Sequence, residues 1–210
     1  MRGLVYKEMA LFFKSINIKL VFVAGAAVIL LLYNMEIYAG LFASLMFSLT
    51  IAMQNTMGFV ADEKSDWKRY QMSMPVNALL VVTSKYISVI LTLVFSILGS
   101  IFFNIISGIF SGGFDITLCK LSVMLSVALP LFWNAICLPL TYWFDFRHAQ
   151  IIRLFAIIPI IMLTKYMEDV QGGQPLMLTG NYYMLVIAFI SVVLFFVSIL
   201  ASVAGYKHIR

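Results

Sequence analysis

The stretch YISVILTLVFSILGSIFFNIISGIF, residues 86–110, contains no Asp, Glu, Lys or Arg. A helix needs about 20 apolar residues to cross the hydrocarbon core of a bilayer. Five more stretches of the chain are predominantly apolar, and 63% of the whole chain is hydrophobic against 11% charged. The sequence therefore predicts an all-α polytopic membrane protein, with one transmembrane domain over 1–210. The six predicted transmembrane helices are 16–33, 37–61, 86–110, 118–143, 149–167 and 182–204.

The basic residues predict an orientation. Twelve of the 14 Lys and Arg residues lie near the two termini and in the loops 62–85 and 145–153, whereas the other three loops contain only Lys120 and Lys165. Loops rich in Lys and Arg stay on the cytoplasmic side. We therefore expect both termini and these two loops to be cytoplasmic. A basic face on anionic membrane lipid explains the net charge of +5 without nucleic acid.

The N-terminal segment predicts an interfacial amphipathic helix before the first span. Its apolar residues recur at the spacing of one helical face, and Lys7 and Lys14 fall nearly opposite. Such a helix lies in the plane of the membrane surface. The residues on the apolar face are Val5, Met9, Phe12, Phe13 and Ile16.

The cytoplasmic loop 62–85 predicts a second short helix. Ser65 is a suitable first residue, and Pro75 ends the helix. Pro75 can also begin the next helix, which carries Lys85 to the inner interface before the third span. Trp67, Tyr70 and Met74 share one face, while Lys68 and Arg69 extend away from it. Aromatic residues of this kind are enriched at protein interfaces, but they also anchor proteins at the headgroup level. The spacing alone leaves both interpretations open.

Polar side chains inside the predicted spans indicate contacts with protein or water, because they are costly against lipid. Hydrogen bonding between helices is their default role, and substrate contact is the alternative. No acid or base lies in the middle of a predicted span, which argues against a carrier driven by protons or sodium. The polar residues are Gln54, Asn55, Asn104 and Asn134.

The loop sequence resembles the cytoplasmic loop of ABC type-2 transporter permeases, the membrane subunits of ATP-binding-cassette exporters. The matching residues are Phe59, Asp62-Glu63, Trp67, Tyr70, Met74-Pro75-Val76 and Lys85-Tyr86. A second resemblance lies in Leu138-Pro139-Leu140 followed by Tyr142-Trp143-Phe144. Such permeases often have glycine next, where this chain has Asp145.

The resemblance implies half of a transporter. A second permease subunit, identical or a sister chain, completes the pathway, and two cytoplasmic ATPases bind ATP and Mg. The sequence agrees, since it lacks the G-x-x-x-x-G-K-[S/T] motif that holds phosphates. We expect no enzymatic activity, and with only His148 and His208 no metal site. The residues assigned to the ATPase-coupling loop are Asp62, Glu63, Trp67, Lys68, Arg69, Tyr70, Met74 and Pro75.

The sequence thus predicts the permease subunit of an ATP-driven exporter in a bacterial plasma membrane. The expected cargo is hydrophobic or amphipathic: a peptide such as an antimicrobial toxin, or a drug. One alternative is the substrate-capture subunit of a vitamin importer, which also has about six spans but lacks this coupling loop. The other is a membrane scaffold that transports nothing.

Overall fold

The computed structural model describes residues 2–16, 38–65, 77–144 and 181–209, together with Leu30, Tyr33 and Trp67. Within this part of the chain there are helices and turns and no strand, which confirms the predicted all-α class. The helices are α1 (Arg2–Ser15), α2 (Ala39–Lys64), α3 (Ala78–Ser111), α4 (Ile116–Trp143) and α5 (Asn181–Ile209).

Three of these helices are long and apolar enough to cross a membrane. They are α3, α4 and the segment Ala188–His208 of α5, which coincide with the predicted spans 86–110, 118–143 and 182–204. Their length and composition support the prediction of a protein that spans the membrane.

Helix α2 covers the predicted span 37–61 but is not among those three helices. Gln54 and Asn55 lie within it and make it less apolar than the others. The predicted spans 16–33 and 149–167 fall almost wholly outside the described residues. Six spans and two cytoplasmic termini therefore stay predictions.

The helices on either side of the predicted coupling loop extend into its predicted bounds, 62–85. Helix α2 continues past Asp62 and Glu63, so these acids belong to its last turn and not to the loop. Ser65, predicted to begin the loop helix, lies at the end of α2, where its backbone N–H donates to the Ala61 carbonyl at 3.1 Å. Helix α3 begins at Ala78, well before the predicted start of its span.

A tight turn connects α3 to α4. Helix α3 ends at Gly112, whose φ of 71° is the left-handed conformation that glycine adopts without strain. Asp115 then begins α4, because its carboxylate accepts from the backbone N–H of Thr117 at 2.7 Å. The two helices are thereby held as an antiparallel hairpin.

Helix α4 contains two prolines, and the first is compensated by a neighbouring helix. Pro130 has no N–H, so it leaves the carbonyl of Ser126 without its usual helical donor. The Ser96 hydroxyl on α3 donates to that carbonyl at 2.9 Å. The interruption of α4 is therefore bound to α3.

Helix α1 packs against α2 and α3, at the end of the bundle where α3 begins and α2, α4 and α5 finish. We call this the α1 end.

The apolar core extends from the α1 end along α3, α4 and α5. Tyr86 also shares hydrogen bonds with Ser198 and with Ser202, the latter at 2.7 Å, and so ties α3 to α5. The largest buried side chains of this core include Val82, Tyr86, Val89, Leu138, Tyr142, Phe195 and Tyr206.

Candidate functional site

Four charged side chains meet at the α1 end, and we call them the charge cluster: Lys7, Glu8, Asp62 and Lys85. Lys85 Nζ donates to Glu8 Oε2 at 3.0 Å and to Asp62 Oδ2 at 3.0 Å. Lys7 Nζ donates to Glu8 Oε1 at 3.3 Å and also to Asp62. Each ammonium thus contacts both carboxylates, and the four groups form a closed ring.

The charge cluster is buried and electrically balanced. The side chains of Lys85 and Glu8 are each 8% exposed, that of Asp62 is 13% exposed and that of Lys7 is 23% exposed. Two positive and two negative groups give no net charge. Removing one member of a buried ion pair typically costs about 3–5 kcal/mol, because the remaining charge stays buried without its partner. Loss of any single member of the ring should therefore destabilise the protein.

Two aromatic rings complete the surroundings of the lysines. The Lys85 ammonium lies 3.9 Å from the centre of the Phe59 ring, and the Lys7 ammonium lies 4.6 Å from the centre of the Trp67 ring. Both distances are within the range of a cation–π interaction. Trp67 was predicted as a coupling residue, and the structure places it, half-buried, beside the charge cluster.

Glycine at position 58 lets Glu8 reach this place. A Cβ atom there would lie 3.1 Å from Glu8 Oε2 and 3.8 Å from Lys85 Nζ. The carboxylate therefore approaches the backbone of α2 more closely than most side chains allow. A side chain at position 58 would therefore require the Glu8 carboxylate to shift by a few tenths of an ångström.

The sequence did not predict that α1 contributes to this cluster. The predicted helix forms, and two of its side chains are buried against the neighbouring helices. Glu8 and Phe12 are buried, whereas Phe13 is 51% exposed and contacts the Phe95 ring edge-on. Lys7, predicted to lie nearly opposite the apolar face, is an ion-pair partner of Asp62. The sequence did contain a signal for this contact, because Glu8 lies one helical turn from both Val5 and Phe12.

A buried polar stripe, which the sequence analysis also missed, runs along α3. Its hydroxyl and amide side chains recur at every fourth residue, so each lies about one helical turn from the next, and all six are buried. The members of the polar stripe are Ser84, Ser88, Thr92, Ser96, Ser100 and Asn104. The regular spacing is visible in the sequence and predicts a helix contact within the bundle rather than a lipid-facing surface.

The polar stripe makes hydrogen bonds to both neighbouring helices. Asn55 on α2 donates to the Thr92 hydroxyl at 2.9 Å. Ser122 on α4 is fully buried, accepts from Asn104 Nδ2 at 2.8 Å and shares hydrogen bonds with Ser100 at 2.7 Å and with Ser44 at 2.5 Å. One hydroxyl on α4 therefore joins α2, α3 and α4.

The four polar residues predicted inside the spans have different surroundings. Asn55 and Asn104 make the hydrogen bonds between helices just described. Asn134 donates to the Pro130 carbonyl of its own helix at 2.8 Å. Its Oδ1 atom and the Oε1 atom of Gln54 are buried and have no hydrogen-bond partner among the described residues. These two amides remain available to a partner or to water.

The structure brings together only part of the predicted coupling site. Asp62 and Trp67 lie at the charge cluster, and Glu63 is exposed on the last turn of α2. The acids of the charge cluster are paired with lysines. The residues that the structure describes include no group of three His, Cys, Asp or Glu side chains that could hold a metal ion. The predicted coupling residues outside the described part are Lys68, Arg69, Tyr70, Met74 and Pro75.

These helices define an integral membrane protein that concentrates its charges at one end of the bundle. Residues 3–207 match the family model described as "ABC-2 family transporter protein". The chain therefore belongs to the ABC-2 transporter family, and the predicted resemblance to ABC type-2 permeases is confirmed. Permeases of this family are membrane transport components that generally work with a cytoplasmic ATPase. Comparisons with curated proteins and with solved structures give no match.

Proposed function

We propose that this chain is the permease subunit of an ATP-driven exporter in a bacterial plasma membrane. Two permease subunits, identical or one of them a sister chain, form the pathway through six spans each. Two cytoplasmic ATPase subunits bind ATP and Mg and drive the cycle. In this arrangement both termini and the segment after α2 lie in the cytoplasm.

The observation that carries this proposal is the position of Trp67 beside the charge cluster. An ATPase that pushes on the segment after α2 needs a firm attachment between that segment and the membrane helices. The ring of four charges supplies such an attachment, because it connects the end of α2 to α1 and α3. Lys7 extends the attachment to the Trp67 ring. The family match supports the same assignment.

The proposed cargo is hydrophobic or amphipathic, with a peptide as the first candidate and a drug as the second. In the described parts of α2 to α5, the charged residues lie near helix ends, so the helix centres offer no fixed charge to bind an ion. The buried amide oxygens of Gln54 and Asn134 have no hydrogen-bond partner within the described residues, and helix movement that exposes them would let them bind polar groups of such a cargo. An amphipathic peptide can contact the uncharged helix surfaces with its apolar side chains and the amide groups with its polar ones.

The decisive experiment reconstitutes the permease with its cognate ATPase in proteoliposomes. ATP should drive a fluorescent amphipathic peptide out of the compartment that corresponds to the cytoplasm, and Trp67→Ala with Tyr70→Ala should release the ATPase on detergent extraction. Lys14→Met, an exposed change on α1, is the matched control and should keep the ATPase. Uptake in the opposite direction would support the importer alternative, and ATPase binding without any transport would support the scaffold.

A further inference from the structure

The charge cluster joins segments that are far apart in the sequence. Lys7 and Asp62 are 55 residues apart, and Glu8 and Lys85 are 77 residues apart. Helix α1 contributes one charge of each sign, α2 contributes an acid and α3 contributes a base. No two of these three helices can separate without breaking an ion pair.

Separation of α1 is unfavourable because the ring is closed as well as buried. If α1 moved away, the pairs Lys7–Asp62 and Glu8–Lys85 would both break, and each group would keep one partner, Lys7 with Glu8 on α1 and Asp62 with Lys85. Loss of half of the contacts of buried charges is unfavourable, whereas exposed charges would be solvated by water at little cost. Movement of α2 and α3 should therefore carry α1 with it.

Lys7 connects this ring to the segment after α2. Its ammonium contacts Asp62 and Glu8 and also lies over the Trp67 ring. A displacement of Trp67 thus acts on Lys7, which sits on α1, and through Glu8 on Lys85 at the start of α3. The contacts form a continuous path between the two helices.

We propose that Lys7, Glu8 and Lys85 are positioning residues that make α1 and the start of α3 move together with Trp67. This inference rests on the proposed function, in which an ATPase acts on the segment after α2. The charge cluster is then a joint that converts ATPase movement into movement of the membrane helices. It contacts neither ATP nor cargo.

The first test measures whether the ring holds α1, and it needs no ATPase. A cysteine replaces the buried Phe12 in a background with Cys119→Ser and Cys137→Ser, and its labelling rate by a soluble maleimide is measured in the membrane. Glu8→Gln with Lys85→Met removes one charge of each sign and leaves the pair of Lys7 and Asp62. Labelling should rise about tenfold, equivalent to about 1.4 kcal/mol.

The matched control is Glu63→Gln with Lys14→Met, which also removes one acid and one base but from exposed positions. It should leave labelling at position 12 unchanged. Equal labelling in the two double variants would overturn the inference, because the Glu8–Lys85 pair would then contribute nothing to holding α1 in place.

The second test uses the reconstituted complex and measures cargo moved per ATP hydrolysed. The Glu8→Gln/Lys85→Met variant should keep the ATPase bound and still hydrolyse ATP, while the transport yield per ATP falls about tenfold; Lys14→Met should match the native protein. An unchanged yield would refute the joint. If the native permease moves no cargo and binds no ATPase, the proposed function fails instead, and the labelling test still decides whether the ring holds α1.

Discussion

Lys85→Met removes the ammonium that bridges Glu8 and Asp62 and replaces it with an apolar side chain of similar length. The cluster then has two carboxylates and one ammonium, so one negative charge remains uncompensated. Loss of one member of a buried pair costs about 3–5 kcal/mol, and we expect the lower end because Lys7 still contacts both acids. At about 2–4 °C per kcal/mol for a chain of this size, the melting temperature should fall by ~6–12 °C.

The measurement is thermal unfolding of the purified protein in detergent, followed by loss of the monodisperse peak in size-exclusion chromatography. Lys14→Met is the control, since that lysine is exposed, and its melting temperature should stay within about 2 °C of the native value. Adding Glu8→Gln to Lys85→Met restores neutrality and should recover about half of the loss. A single variant as stable as Lys14→Met, or a double variant less stable than the single one, would refute the argument from charge balance.

Three further predictions concern other parts of the bundle. Gly58→Ala should destabilise the protein by about 1–2 kcal/mol in the same unfolding assay, because its Cβ displaces Glu8, whereas Gly3→Ala, with nothing within 4 Å, should not. Ser122→Ala removes hydrogen bonds to two helices and should cost about 1–2 kcal/mol; no change would mean that packing alone joins them. Asp115→Cys should label only from outside intact cells, and labelling from the cytoplasm would contradict the predicted orientation.

The sequence predicted the membrane helices because their signal is local. The run 86–110 carries no charged residue, and an uncharged stretch of that length has few alternatives to crossing a membrane. The ends of helices were predicted less well. Asp62 and Glu63 were assigned to a loop because charged residues usually leave the membrane, yet Asp62 is held in the last turn of α2 by lysines on other helices.

The charge cluster could not be predicted from local sequence, because its members come from three helices that are far apart in the chain. Lys7 looks solvated when α1 is considered alone, and only the neighbourhood of α2 and α3 makes its ion pairs visible. Of the predicted coupling residues, Trp67 lies at the cluster, while most of the others fall outside the described part. The polar stripe differs, since its spacing from Ser84 to Asn104 is fully readable along one helix.

The bond from Ser96 to the carbonyl of Ser126 changes what Pro130 means for movement. A proline usually makes a helix easier to bend, because one backbone hydrogen bond is absent there. Here a side chain of α3 occupies the free acceptor, so bending α4 at this point would break a hydrogen bond in a dry environment. Helices α3 and α4 should consequently move as one rigid unit. Any bending of α4 should occur nearer to Pro139 and the end of the helix.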